Sequence, residues 1–513
     1  MESVPELFLA AVDRYPERVF LRPFGAPVVT YREAARRVAA TAQALLDAGL
    51  GLGDRLVCYT EELLPALFVQ LACAHTGVVP LHLPPRFSVD TMLALCRRID
   101  ARGLFTTSSV AAAPTLPLLD RAWAGSDVEA RALLERLAAT RRSSDIYQIQ
   151  PTSGTTGNFN LVVRTHDPIV HTGWCYVDAC GFRAADEPPL RVLFSQPLTH
   201  GPGNYSLCMV LRLAAEGVIP SELDTKARLA EVRELDPAFG ALPFRVWRSL
   251  YDQYVASGAR GKWWSPSAAV LICGASAPDL EVLRAAQAHG IDVMEHYGMV
   301  ETGSLVLTER GAWREGWMGK VLPDVELRTA PDGELLTRTP RMMLGYLDDP
   351  ALTGSEHTAD GFFHTRDFCE VTPDGYVRYL GRKKDRFNTL DGSNIHPGHI
   401  EQRLELLDWC KQVVLVGDRR PYVVALIVVD DATPIGELYE RARTDLAKIN
   451  AQLETIEQVR RFALLDRPMS ADLYKLAGQG KIGRNRQAIE VAYRDEIQRL
   501  YADDAPDLCR VPG

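Results

Sequence analysis

The chain has no long block of basic residues. Its 57 lysines and arginines are outnumbered by 66 aspartates and glutamates, for a formal net charge of −9. With no basic block to meet a phosphodiester backbone or an anionic bilayer surface, the composition argues against nucleic acid as a partner. Paired cysteines are missing as well. The ten cysteines are scattered singly, as at Cys58, Cys96, Cys273 and Cys410, and the nearest pair, Cys175 and Cys180, has neither zinc-site nor redox spacing. Reduced, mostly buried thiols are therefore expected, not a metal site or a disulfide framework. The N-terminus, MESVPELFLAAVDRYPERVF, has no basic start and interrupts its only apolar run with charge, unlike a secretory signal, so a cytoplasmic protein is expected. Internal repeats and low-complexity tracts are also absent.

One stretch, Leu63 to Leu81, carries no formal charge over nearly the length of a membrane span. Pro65, Gln70, His75, Thr76, Gly77 and Pro80 break it into a buried helix, a turn and a short strand, and no membrane span is expected.

What is present is alternation. The segment YREAARRVAATAQALLDAGL is an amphipathic helix ending at a glycine and DRLVCYT is the strand after it, a pattern that repeats past residue 300. This predicts an α/β architecture with layered, largely parallel sheets. At 513 residues the chain exceeds what one core supports. Its style changes after Lys384, where KQVVLVGD and PYVVALIVVDD predict two strands joined by a polar turn, with a long charged helix following around ELYERARTDLAKINAQLETIEQVRRF. The expected division is an N-terminal domain over 1–383 and a smaller α+β domain over 384–513.

The segment PTSGTTGNFNLVVRTH, residues 151 to 166, reads as an anion-binding loop. Thr152, Ser153, Thr155 and Thr156 offer hydroxyls, while Gly154 and Gly157 let backbone amides approach a phosphate. It is not a Walker loop, because no lysine-serine or lysine-threonine ending follows Gly157. The same residues also favour ordinary turns.

Further segments set the context: HYGMVETG from His296, GELLTRTPRMMLGY, FFHTRDF, GRKKDRFNTLDGSNIHPGHIE and GQGKIGR, with GLGDRLV and GVVPL upstream. In order and spacing these resemble the adenylate-forming superfamily of acyl-CoA synthetases, peptide-synthetase adenylation domains and luciferases. The resemblance implies a two-step reaction in which ATP and an acid give an acyl adenylate and pyrophosphate, after which a nucleophile, often the thiol of coenzyme A or of a carrier protein, displaces AMP. It implies that Thr152, Ser153, Gly154, Thr155, Thr156 and Gly157 hold phosphate, and that Glu301 is a Mg²⁺ ligand. His296, Tyr297 and Gly298, with Gly274, Ala275 and Ser276 opposite, would hold adenine. Glu295 stands where an amide often meets the adenine amino group, and a carboxylate can accept that bond. Asp367, with Arg382 nearby, would take the ribose hydroxyls. Lys384 would be the hinge of a mobile C-terminal domain whose Lys481 is the catalytic lysine. PLTHGPGNYS resembles the acyl-pocket motif, with His200 at its gate.

The chain departs from that pattern. Phe159, Asn160 and Leu161 stand where proline-lysine-glycine is usual, so the loop lacks its lysine. Arg164 is a candidate for the missing charge or a cap of the strand end. Val300 replaces a threonine, Arg366 replaces the glycine before Asp367, and the hinge loop is one residue longer. The leading expectation is an AMP-forming ligase for a small or aryl acid, with CoA or a carrier protein as acceptor. Alternatives are a diazotising enzyme that adenylates nitrite for capture by an aryl amine, and a non-catalytic nucleotide-binding protein.

Overall fold

A computed structural model describes residues 2–83, 87–107, 123–152, 160–184, 189–194, 196–274, 280–405, 407, 409–429, 435–467, 469–470, 473–477 and 481–502. Packing divides the chain into two compact units. The first comprises Met1–Ala275, Val282–Glu326 and Arg338–Phe363; the second comprises Ser276–Glu281, Leu327–Thr337 and His364–Gly513.

The first unit is built on two sheets. In the nine-stranded sheet the strands Val19–Pro23, Glu216–Ile219, Arg191–Leu193, Phe239–Pro243, Val270–Gly274 and Asp292–Met299 run parallel, and Val29–Thr30, Gly303–Leu307 and Lys320–Val321 close its edges antiparallel. In the six-stranded sheet Ala101–Thr106, Arg55–Tyr59, Val79–Leu83 and Ile146–Pro151 are parallel, followed by antiparallel Leu161–Thr165 and Gly345–Tyr346. This is the layered, mainly parallel α/β architecture that the alternation predicts.

Local chemistry sets the element ends. The uncharged stretch forms the helix Leu63–Thr76, which stops at Gly77 in the left-handed region (φ +79°) and turns directly into Val79–Leu83. Glycine reaches that conformation at no steric cost. Among the described residues no helix is long and apolar enough to cross a membrane. The helix Val4–Arg14 starts at a capping box in which Ser3 and Glu6 satisfy each other's backbone amides.

Three histidines are sealed into this unit. His75 and His166 are at most 1% exposed, and His82 is 5% exposed. His166 Nδ1 accepts from the Val4 amide at 3.3 Å, and His82 Nε2 bonds Gln70 Oε1 at 2.7 Å. Burial lowers their pKa values to about 4 for His75 and about 3 for His82 and His166. The folded protein holds all three neutral, whereas the unfolded chain protonates them near the ordinary value of about 6.5. Stability is thus fully present above about pH 6.5 and lost as pH falls toward 4, by on the order of a few kcal/mol per histidine. Thermal melts from pH 7.5 to 4.5 are expected to show Tm falling steeply below pH 6.5. Replacing His82 with Gln should flatten that fall, since a neutral amide has no proton to gain.

In the second unit Leu327–Thr337 and His364 onward contribute most of a four-stranded sheet, ordered Glu326–Thr329, Glu334–Arg338, Phe363–Val371, Val377–Arg382. A three-stranded sheet follows: Cys410–Val416 and Val423–Val429 form an antiparallel hairpin, and Val459–Leu465 joins parallel. Val423–Val429, sequence VVALIVV, is buried on both faces, which is why it is a continuous apolar run without alternation. Val413 and Leu415 face Leu438, Ala442 and Leu446 on one side, and Val414 and Val416 face Ile489, Ile497 and Leu500 on the other. The charged helix is shorter than its periodicity implies. It spans Ile435–Asn450, and VRRF belongs to the strand Val459–Leu465. Asn450 fixes the change by bonding both the amide and the carbonyl of Val459 with its side chain, at 3.0 and 2.9 Å.

Candidate active site

In the first unit the strands Val270–Gly274 and Asp292–Met299 lie side by side and parallel, with Gly274 opposite His296. Side-chain alternation then puts Glu295 and Tyr297 on one face and His296 on the other. A Cβ on Gly274 would lie 2.4 Å from the His296 carbonyl oxygen, and one on Gly298 would lie 2.1 Å from that of Gly303. Both positions exclude any side chain. The second permits the tight turn from Met299 to Gly303, whose Thr302 Oγ1 accepts from the Met299 amide at 3.2 Å.

Each polar group here has a partner that the sequence did not reveal. His296 Nε2 bonds Ser304 Oγ at 2.7 Å and its ring packs edge-on against Tyr176. Burial drives its pKa down to about 4, with Arg341 adding to the effect. Glu295 is 5% exposed and its Oε1 accepts from the Trp313 indole at 2.7 Å. Burial raises its pKa to about 7 against that stabilising bond, so near neutrality this carboxyl is poised between acid and anion.

Glu301 sits on the turn after Gly298. Its Oε1 accepts from the Tyr346 hydroxyl at 3.2 Å, and its carbonyl accepts from the Met343 amide at 2.7 Å. Among the described residues no group of three or more His, Cys, Asp or Glu side chains is placed to hold a metal ion. Glu301 thus offers a carboxylate outside any such group, which fits a magnesium ion taking most of its oxygens from water and substrate phosphates and does not fit an all-protein cage.

The loop after Ile146–Pro151 is pinned at its mouth, where the Thr152 amide and hydroxyl donate to the Asn160 carbonyl at 2.8 and 3.3 Å. Ser153, Gly154, Thr155, Thr156 and Gly157 lie outside the described residues, as do Ala275 and Ser276. The neighbouring Gln150 donates to the Thr199 carbonyl at 2.9 Å, which ties this strand to the His200 segment. His200 is 7% exposed and precedes the helix Gly201–Leu213, where its carbonyl accepts from Asn204 at 3.3 Å. Arg164, expected to cap the strand end or to offset phosphate charge, is one residue from the end of Leu161–Thr165 and completely buried, and it donates to the Val300 carbonyl at 2.7 Å and weakly to the Tyr205 hydroxyl at 3.4 Å.

In the second unit Asp367 is completely buried opposite Arg382, with Arg382 Nε 2.8 Å from its Oδ1. Arg366 adopts φ +59°, in the left-handed region that favours glycine. Arg366→Gly is expected to raise stability by about 1 kcal/mol, since relief of the left-handed strain exceeds the entropy that glycine adds to the unfolded chain. Equilibrium denaturation in urea checks this. Lys384 lies in the short 3₁₀ turn Lys383–Asp385, and Lys383 reaches Asp332 and Glu334 at 2.6 Å each. Lys481 begins the strand Lys481–Arg484, which pairs antiparallel with Tyr474–Ala477.

Sequence reasoning missed Tyr346, Trp313 and Arg341. Tyr346 stands 45 positions from Glu301 in sequence, and no local pattern announces such a bond. Arg341, completely buried, pairs with both Asp324 oxygens at 2.6 and 2.7 Å and donates to the Ser304 carbonyl.

Residues 8–347 match the family model described as AMP-binding enzyme, and residues 384–505 match that of the AMP-binding enzyme C-terminal domain. A putative fatty-acid–CoA ligase of Mycobacterium tuberculosis is 28% identical over 70% of this chain and 74% of its own length. The 2-succinylbenzoate–CoA ligase of Listeria monocytogenes is 25% identical over 84% of this chain and 91% of its own. The O-succinylbenzoate coenzyme A synthetase of Bacillus subtilis, solved in complex with AMP, shares the fold at a TM-score of 0.72 and 19% identity, over 93% of this chain and 98% of that one.

Proposed function

The chain belongs to the AMP-binding enzyme family, and from that premise we propose that it adenylates a small or aryl carboxylic acid with ATP, releases pyrophosphate, and passes the acyl group to a thiol of coenzyme A or of a carrier protein. The observation that carries this reading is the cluster at the carboxyl ends of two adjacent parallel strands, where Gly274 admits no side chain and Tyr297, Gly298 and Glu301 follow one another onto a tight turn. Ligands of open parallel sheets bind outside the carboxyl ends of the strands.

Adenine stacks on Tyr297, with the backbone at Gly274 as the opposing wall and Glu295 taking the amino group. Asp367, oriented by Arg382, accepts from the ribose hydroxyls. Thr152 and the loop it opens hold the phosphates, and His200 orients the acid. Magnesium bound through Glu301 would offset phosphate charge when the nucleotide is present. As the acid oxygen attacks the α-phosphorus in line, charge builds on the phosphoryl oxygens, and the Lys481 ammonium stabilises that charge more than the ground state. Residues 384–513 act as the lid that carries Lys481, and Lys384 is the hinge. Relatives that act on fatty acids and on succinylbenzoate bracket the acid, and the small residues Gly201 and Gly203 beside Tyr205 in the pocket helix favour the compact, aryl end of that range.

The test is to incubate the protein with Mg-ATP and panels of aryl, short and long-chain acids, quantify AMP and pyrophosphate, and then add coenzyme A or a carrier protein. Release that depends on an aryl or short acid is the expected outcome. Release that depends only on long-chain acids contradicts the proposed specificity, and none with any acid contradicts the reaction.

A further inference from the structure

Among the described residues of the first unit two arginines are completely buried, and their surroundings differ. Arg341 is neutralised by Asp324, which takes both ends of its guanidinium. Arg164 meets no carboxylate among the described residues; its Nη1 donates to the Val300 carbonyl at 2.7 Å and to Tyr205, while its Nε and Nη2 find no acceptor. An unpaired charge in the interior destabilises the fold, because it gives up hydration without a counter-charge. Both atoms are closed off from water-sized space, so no ligand can reach this guanidinium by contact. Its field is another matter, since low-dielectric surroundings screen a charge poorly.

The place of this charge is informative. Arg164 is on Leu161–Thr165, the strand that leaves the loop pinned at Thr152 and Asn160, and it grips the carbonyl of the residue just before Glu301. It therefore lies four residues after Asn160, the described end of the segment that the proposed function assigns to phosphate, and bonds the residue before the one it assigns to magnesium. The loop itself carries asparagine at 160 and no lysine among residues 152–160. We propose that Arg164 is a positioning residue that supplies from within the core the positive potential that the phosphate loop lacks, acting on the nucleotide's phosphates through its field and not by contact. This inference rests on the nucleotide reading above. Four extended residues, about 13 Å, separate it from Asn160; for a phosphate at a distance on that order and an effective dielectric of about 20, one unit charge changes affinity by roughly tenfold.

The experiment measures direct binding of Mg-ATP and of adenosine by calorimetry, together with Tm, for the wild type and for Arg164→Met, Arg164→Gln and Arg164→Lys. Arg164→Met and Arg164→Gln are expected to weaken Mg-ATP about tenfold, to change adenosine less than twofold, and to raise Tm. Gln keeps a donor for the Val300 carbonyl, so its loss of affinity reports charge and not hydrogen bonding. Lys is expected to retain Mg-ATP affinity within about threefold. Unchanged Mg-ATP binding in Met and Gln, an equal loss of adenosine, or recovery by Gln overturns the inference. A variant that does not fold also counts against it, because removal of an unpaired buried charge is expected to stabilise. Failure of the wild type to bind Mg-ATP would instead sink the nucleotide reading itself.

Discussion

Lys481→Ala is expected to lower acid-dependent pyrophosphate exchange by on the order of 10²-fold or more while Mg-ATP binding remains measurable. A preorganised cation aimed at developing negative charge typically contributes that much, and its effect falls on the transition state, not on ground-state affinity. The fold should not change, because the hairpin that carries residue 481 is anchored elsewhere. Arg484, three positions on, donates to Glu405 at 2.6 Å and to the Val413 carbonyl at 3.1 Å, and Arg486 reaches the fully buried Glu401 at 2.8 Å. Exchange at the wild-type rate with an unchanged Tm would show that the lysine takes no part in adenylation. A drop in Tm alongside lost activity would make the effect structural.

Glu301→Gln is expected to cut adenylation by a comparable factor, on the order of 10²-fold, and to raise the magnesium concentration that supports half-maximal rate. The amide keeps an oxygen for the Tyr346 hydroxyl, which donates at 3.2 Å in the wild type, so the turn should hold its shape. Tyr346→Phe supplies the contrast: with the carboxylate intact but less firmly oriented, a loss of no more than about tenfold is expected, without a large change in magnesium dependence. Magnesium titrations of the initial rate, run on all three proteins, decide whether residue 301 acts through the metal. Superimposable curves for wild type and Glu301→Gln would remove it from that role.

The parts of the molecule that were legible in the sequence are those whose cause is local. Gly77 marks a helix end because its conformation is local, and VVALIVV announces a strand covered on both faces because burial leaves no room for polar alternation. The charged helix misled because acidic and basic residues at helical spacing continue past Asn450, whereas the pairing of Val459–Leu465 with the central strand, which ends the helix, is a long-range contact. Arg366 stood out in the sequence only as a departure from glycine, and its φ of +59° supplies the physical meaning. The candidate site divides in the same way. Gly274, Gly298 and Glu301 come together because adjacent strands and a tight turn put them there. The bonds that tune them, from Trp313 to Glu295, Tyr346 to Glu301 and Arg164 to Val300, join residues between 18 and 136 positions apart, and no local pattern encodes such pairs. Arg164 shows the limit most clearly. Its residue type suited a phosphate contact or, as the favoured reading, a cap of the strand end, and only the structure reveals its complete burial with no carboxylate partner among the described residues.

The central claim is that ATP is cleaved at its α-phosphorus in an acid-dependent step. ATP labelled at the γ-phosphate, incubated with magnesium, the accepted acid and the protein, and resolved by chromatography, tests it directly. Label is expected in pyrophosphate in equal amount to unlabelled AMP, and only when acid is present. Label in orthophosphate with matching ADP would contradict it.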